Sequence, residues 1–239
     1  MAWFMGDSFL NMVDELHKSE VGVFTSVNGE KTILDQLIND IKEFGSSVVN
    51  LREKSRKLSS LIIVSDEEFE PKEKIMAREI LKESLLANIP ILCINWGMYL
   101  FNSFFGGSDP VFIKDHHLHN GENSRHPVFI SPGGKLSYTI GGSGWVTIPS
   151  EHKFGLSHKE LSSELISTVY SEDRILHGIE LPGKNWVVGV SGRHIKLILI
   201  LKVLTTCYVI YLRFLIFDLI VNKLSRAHAR ARDNCAGKE

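Results

Sequence analysis

The chain has 239 residues, 44% apolar and 23% charged, with 27 basic and 28 acidic side chains for a formal net charge of −1. That is enough apolar chain for one α/β domain with a buried core, and the balanced charge excludes a global field that would gather nucleic acid or an anionic membrane. Cys93, Cys207 and Cys235 stand far apart without a CxxC pair or a Cys/His cluster, which excludes a disulfide framework and zinc spacing and makes a reducing, cytoplasmic setting the simpler reading.

Residues 1–20 read as an N-terminal extension: Met1-Ala2-Trp3-Phe4-Met5 runs straight to Asp7 with neither the basic start nor the apolar run of a signal peptide. Val21–Phe24 is predicted as a first strand. After the turn Asn28-Gly29, Thr32 to Phe44 places Ile33, Leu34, Leu37, Ile38 and Ile41 at helical spacing, with Gly45 as the C-cap. Ser47–Leu51 and Leu61–Val64 are the next strands, the latter continuous and apolar as in a parallel sheet. Pro71 suits the first turn of a helix running to about Ala87, Pro90–Ile94 is a further buried strand, and another helix is predicted to start just past Asn95. This alternation predicts βαβ units and a three-layer α/β fold, with a mostly parallel central sheet flanked by helices.

Beyond Gly106-Gly107 the pattern shortens. His126–Ser131, Leu136–Ile140 and Trp145–Ile148 read as short strands separated by the turns Pro132-Gly133-Gly134 and Gly141-Gly142. Ser162–Val169, Ile175–Glu180 and Trp186–Val190 follow as strands, the last one buried. Residues 109–125 read as a loop. Its His116, His117 and His119 have no matching acid or thiol, so they are expected to be solvated, and neither a metal nor a cofactor is expected.

From Ile195 to Val221 the chain is apolar apart from Lys196, Lys202, Thr205, Thr206, Arg213 and Asp218, and the basic tail Arg226, Arg230 and Arg232 follows. A span needs about 20 such residues, but Arg213 and Asp218 would each cost roughly 2.5–3.5 kcal/mol on insertion. Two readings of residues 193–239 stay open. One is an apolar helix that anchors an otherwise cytoplasmic domain in a membrane through 195–221; the other is a mispredicted exon or reading frame.

The stretch Ala87-Asn88-Ile89-Pro90-Ile91-Leu92-Cys93-Ile94-Asn95-Trp96-Gly97-Met98-Tyr99-Leu100-Phe101-Asn102 resembles the nucleophile elbow of class I glutamine amidotransferases. More narrowly, it resembles the gamma-glutamyl-gamma-aminobutyrate hydrolase (peptidase C26) branch, with its I-P-[IV]-L-G-I-C-R-G-M-Q-L-x-N pattern and the G-G pair that Gly106-Gly107 supplies. His126-Pro127-Val128 with Pro132-Gly133 and Leu136, Asp173 to Glu180, and Trp186 to Val190 resemble later family segments in the same order; Glu151-His152-Lys153 falls where the family has an H-H-Q loop, with only His152 matching. The resemblance covers about three quarters of the chain. It implies a class I glutamine amidotransferase-like, flavodoxin-like domain over residues 21–192.

The departures fall on the chemistry. The family's cysteine attacks an amide carbon, a histidine serves as base and acid, and a glutamate orients that histidine. The resemblance puts Asn95 in the cysteine's place, Arg193 in the histidine's and Ile195 in the glutamate's. Ser65-Asp66-Glu67 stands where the family has a P-G-G turn that helps stabilise the oxyanion, and an acid there would repel one. Two residues could stand in: Cys93, on the same strand face but roughly 6–7 Å further back, and His194, which a one-residue bulge would bring into register. Ile195 would still leave His194 without an orienter. The expectation is therefore a catalytically inactive domain binding a gamma-glutamyl or amino-acid ligand, or a protein partner, in a cleft lined by Asn95, Trp96, Gly97 and His152. The alternative is an active gamma-glutamyl amide hydrolase that uses a non-standard residue.

Overall fold

The computed structural model describes residues 20–26, 38–39, 42, 47–51, 58–113, 125–149, 153–183 and 186–191. In chain order the strands are β1 (Glu20–Thr25), β2 (Ser47–Asn50), β3 (Ser60–Ser65), β4 (Ile91–Asn95), β5 (Val111–Phe112), β6 (Arg125–Ile130), β7 (Gly144–Pro149), β8 (Phe154–Gly155), β9 (Ile166–Ser171), β10 (Leu176–Glu180) and β11 (Val187–Val190). The helices are α1 (Pro71–Leu86), α2 (Trp96–Phe104) and α3 (Lys135–Ile140). Ile38, Asn39 and Lys42, inside the segment predicted as the first helix, are also helical.

Among the described residues nine strands form one sheet in the order β2-β1-β3-β4-β11-β10-β9-β6-β7, and β5 and β8 pair separately. The first five strands of that order run parallel, with β4 held between β3 (Cys93 opposite Ile63) and β11 (Cys93 opposite Gly189). From β11 through β10, β9 and β6 to β7 every pairing is antiparallel. The predicted parallel sheet is thus the half that carries the elbow. Parallel strands covered on both faces need continuous apolar runs, and Ile91–Ile94 and Leu61–Val64 are all buried.

Helices cover both faces. A Cβ on Gly189 would meet Met98 Cγ at 2.8 Å, Ile179 Cγ1 at 3.0 Å and Phe101 Cδ1 at 3.2 Å, so Ile179 points to the face that α2 covers. Its neighbour Gly178 points the other way, where a Cβ would meet Leu136 Cδ1 of α3 at 2.7 Å. Glu73 ties α1 to the sheet: its carboxylate, buried, accepts from Ser26 Oγ at 3.1 Å and from the Glu70 backbone N–H at 3.1 Å.

Three expectations need correction. Leu136–Ile140 belongs to a helix, because the Glu180 carboxylate accepts the first backbone N–H groups, Lys135 N at 2.7 Å and Leu136 N at 2.8 Å. The predicted strand Ser162–Val169 is shifted to Ile166–Ser171: Leu165 N donates back to Ser162 O, closing a turn where the strand was expected to begin. Finally, the loop predicted over 109–125 contains β5, which pairs with β8 through Phe112 opposite Phe154. His116, His117 and His119, the helix cap at Gly45, the N-terminal extension up to residue 19 and the apolar segment 195–221 lie outside the described residues.

Candidate functional site

The elbow forms where β4 hands over to α2. Asn95, the last residue of β4, has φ 53° and ψ −114°, a conformation outside the ordinary regions for a residue with a Cβ. Such strain costs on the order of 1–3 kcal/mol and persists only where the surroundings fix it. The next turn fixes it from below: a Cβ on Gly97 would lie 2.2 Å from the Ile63 carbonyl oxygen and 2.9 Å from its carbon, so only glycine lets α2 settle this close to β3. Met98 and Phe101, fully buried, then anchor the helix over β11.

Asn95 does not present a free amide. Its Nδ2 donates to Asp66 Oδ1 at 2.5 Å, in the loop that follows β3. In that loop Ser65 Oγ accepts the Glu67 N–H at 3.2 Å and donates to Glu67 O at 2.6 Å. One backbone donor of the loop is thereby spent on its own turn, and the nearest acid lies against Asn95. A carboxylate, an acceptor, thus stands beside the elbow side chain, where negative charge would be opposed.

Cys93 lies two residues back along β4 and is 0% exposed. Burial pushes its thiol well above the ordinary cysteine range, so the thiolate needed for nucleophilic attack is suppressed. It packs in the core with Ile63 and Met98.

Beyond Asn95 aromatic rings cluster together. Trp96 meets Tyr99 edge-on at 5.3 Å and Phe154 at 5.5 Å, and Phe154 also meets Phe112 at 5.9 Å. The Tyr99 hydroxyl donates to the Phe154 carbonyl at 2.7 Å. Burial raises the Tyr99 pKa to about 12, against the opposing pull of a hydrogen bond with Ser191. Because Val190 pairs with Ile94, β11 ends beside the elbow, and Ser191 with Tyr99 joins the two.

A second clamp acts at the far end of α2. Asn102, fully buried, donates through Nδ2 to Ser108 O (3.0 Å) and Glu160 O (2.9 Å), and its Oδ1 accepts Ser162 N (2.9 Å). A Cβ on Gly107 would lie 2.3 Å from that amide, and Gly106 before it takes φ 86°, the left-handed region that glycine enters freely.

Of the predicted site residues, Asn95, Trp96 and Gly97 follow one another at the turn from β4 into α2, with Gly97 packed against the Ile63 backbone. His152, Arg193, His194 and Ile195 lie outside the described residues. The sequence reading missed the Asn95–Asp66 contact and the part played by Tyr99 and Phe154. Tyr99 had a signal, since it stands where the elbow pattern has glutamine; the Asp66 contact had none, because it joins two loops through tertiary geometry. Among the described residues no group of three or more His, Cys, Asp or Glu side chains is placed to hold a metal ion, and no helix is long and apolar enough to cross a membrane.

The comparisons agree with this geometry. The backbone is similar to the CTPS glutaminase domain of Trypanosoma brucei with bound acivicin, at 8% identity and TM-score 0.62, covering 80% of this chain and 93% of that one. It is similar to PurLQS from Thermotoga maritima, at 12% identity and TM-score 0.58, over 82% and 99% of the two chains. A glutamine amidotransferase from Thermotoga maritima matches at 15% identity and TM-score 0.51, over 73% and 75%. No curated protein matches the chain. At these identities the likeness shows a shared fold. The peptidase C26 family model, however, matches residues 56–191, more than half of the chain and the whole stretch from the loop before β3 to the end of β11. The chain therefore belongs to the peptidase C26 family, with the glutamine amidotransferase fold.

Proposed function

We propose that this is a non-catalytic peptidase C26 domain that binds an amino-acid or gamma-glutamyl ligand, or a protein partner, beside the old elbow. The observation that carries the reading is the engagement of Asn95: the elbow keeps its strained backbone, yet its side chain is a carboxamide donated to Asp66. An amide nitrogen in that state has no lone pair to give an acyl carbon, and the nearest thiol is buried behind the helix.

The test is covalent. A glutamine-analogue electrophile that alkylates an elbow thiol is expected to leave no adduct on residues 93–97, as read by peptide mass spectrometry, and glutamine is expected not to be hydrolysed. Asn95→Cys is expected to restore no turnover, since the positions matching the family's base and orienter are Arg193 and Ile195. An adduct on Cys93, with turnover abolished by Cys93→Ala, would instead establish the hydrolase reading with a non-standard nucleophile.

A further inference from the structure

A cavity of about 260 Å³ runs along the first two turns of α2, between that helix and α1, and Asn95 is not among its walls. Its floor is apolar: Phe69 from the loop after β3, with Trp96, Tyr99 and Leu100 from one face of α2. Its rim is charged. Lys74 and Arg78, four residues apart and so on one face of α1, stand on one side, and Asp109 stands on the other, on the loop pinned by Asn102.

The charges on that rim are unequally satisfied. Lys74 is already paired with Glu68. Arg78 lies 5.4 Å over the Phe104 ring and donates to Ser103 Oγ at 3.3 Å; among the described residues it has no carboxylate partner, and Asp109 has no cationic one. The cavity thus offers a guanidinium that lacks a carboxylate, a carboxylate that lacks a cation, and an aromatic floor. Ligand pockets for drug-sized molecules occupy about 300–1,000 Å³, so this one suits something smaller.

We propose that this cavity binds a free α-amino acid with an apolar side chain: its carboxylate on Arg78, its ammonium on Asp109, its side chain against Trp96 and Phe69. A guanidinium forks onto a carboxylate through two parallel N–H donors, and the aromatic floor rewards an apolar side chain over a polar one. The inference deepens the ligand-binding reading above, on which it rests, and moves the ligand off the elbow onto the α1 side of α2.

Calorimetric titration of the full chain tests it, using L-phenylalanine, L-leucine, L-glutamate, N-acetyl-L-phenylalanine and L-phenylalaninamide, with inorganic phosphate as the anion control. Phenylalanine or leucine is expected to bind more tightly than glutamate, and blocking either end of phenylalanine is expected to weaken binding about tenfold to a hundredfold. Arg78→Gln is expected to produce the same loss with phenylalanine and no further loss with the amide; Asp109→Asn is expected to behave likewise with the acetylated ligand. Both side chains are exposed, so unchanged unfolding curves confirm that the variants are folded. No heat with any amino acid, binding indifferent to both substitutions, or phosphate binding that depends on Arg78 alone would overturn the proposal. Glutamine turnover by the wild-type protein would overturn the non-catalytic reading and leave the cavity standing, whereas failure to bind without turnover would overturn the cavity alone.

Discussion

Tyr99 shows how one side chain carries both packing and polarity. Its ring fills the space beside Trp96, and its hydroxyl reaches the Phe154 carbonyl that would otherwise be left without that donor. Tyr99→Phe keeps the ring and loses the hydrogen bonds to Phe154 and with Ser191, which is expected to cost about 1–3 kcal/mol in urea unfolding at neutral pH. The pH dependence has a definite sign. The folded-state pKa of about 12 lies above the ordinary 10.0, so the fold favours the protonated phenol. Stability should be full below pH 10 and fall as the pH rises through 12, and the Phe variant should lose that decline. Unfolding midpoints measured from pH 8 to 12 on both proteins check it; parallel curves would show that Tyr99 titrates normally.

At the scale of elements, α3 depends on a residue more than forty positions away. Glu180 accepts the Lys135 and Leu136 N–H groups, and burial lowers the Lys135 pKa while the Glu180 charge raises it. Glu180→Ala is expected to cost about 2–4 kcal/mol and to release amide protection at residues 135–138 before the sheet, as read by hydrogen exchange. Loss of protection across β9 and β10 at the same rate would mean that α3 is not a separate unit. This also explains what the sequence reveals and what it hides. Ile91–Ile94 and Leu61–Val64 are legible as buried parallel strands because burial on both faces writes itself as an unbroken apolar run. Leu136-Ser137-Tyr138-Thr139-Ile140 alternates like a strand, and the distant Glu180 carboxylate caps it as a helix. The elbow was legible from Gly97 and its neighbours, and Asn95 was correctly placed at the strand-to-helix turn; its bond to Asp66 was not legible, since no local pattern encodes which loops meet.

For the whole molecule, the described residues end at Ser191, one position past β11, and the family match ends there too. We expect residues 21–192 to fold on their own: a chain cut after Gly192 should unfold in a single transition with its midpoint within a few degrees of the full chain, measured by circular dichroism. Carbonate extraction of the full chain, compared with the cut one, reports separately on the apolar segment 195–221. Retention of the full chain alone in the membrane pellet would establish an anchor, and its absence from the pellet would exclude a span.

The place of β11 in the sheet has a consequence for synthesis. β4 is apolar from Ile91 to Ile94, and one of its two edges is closed only by β11, which follows β5 to β10 in the chain. At ribosomal rates of roughly 5–20 residues per second, that edge stays bare for on the order of ten seconds after Ile91–Asn95 has been made. An unpaired apolar strand exposed for so long is a template for pairing with neighbouring chains. Yield in cells should therefore depend on chaperones that hold the nascent chain until the strand beside Cys93 arrives.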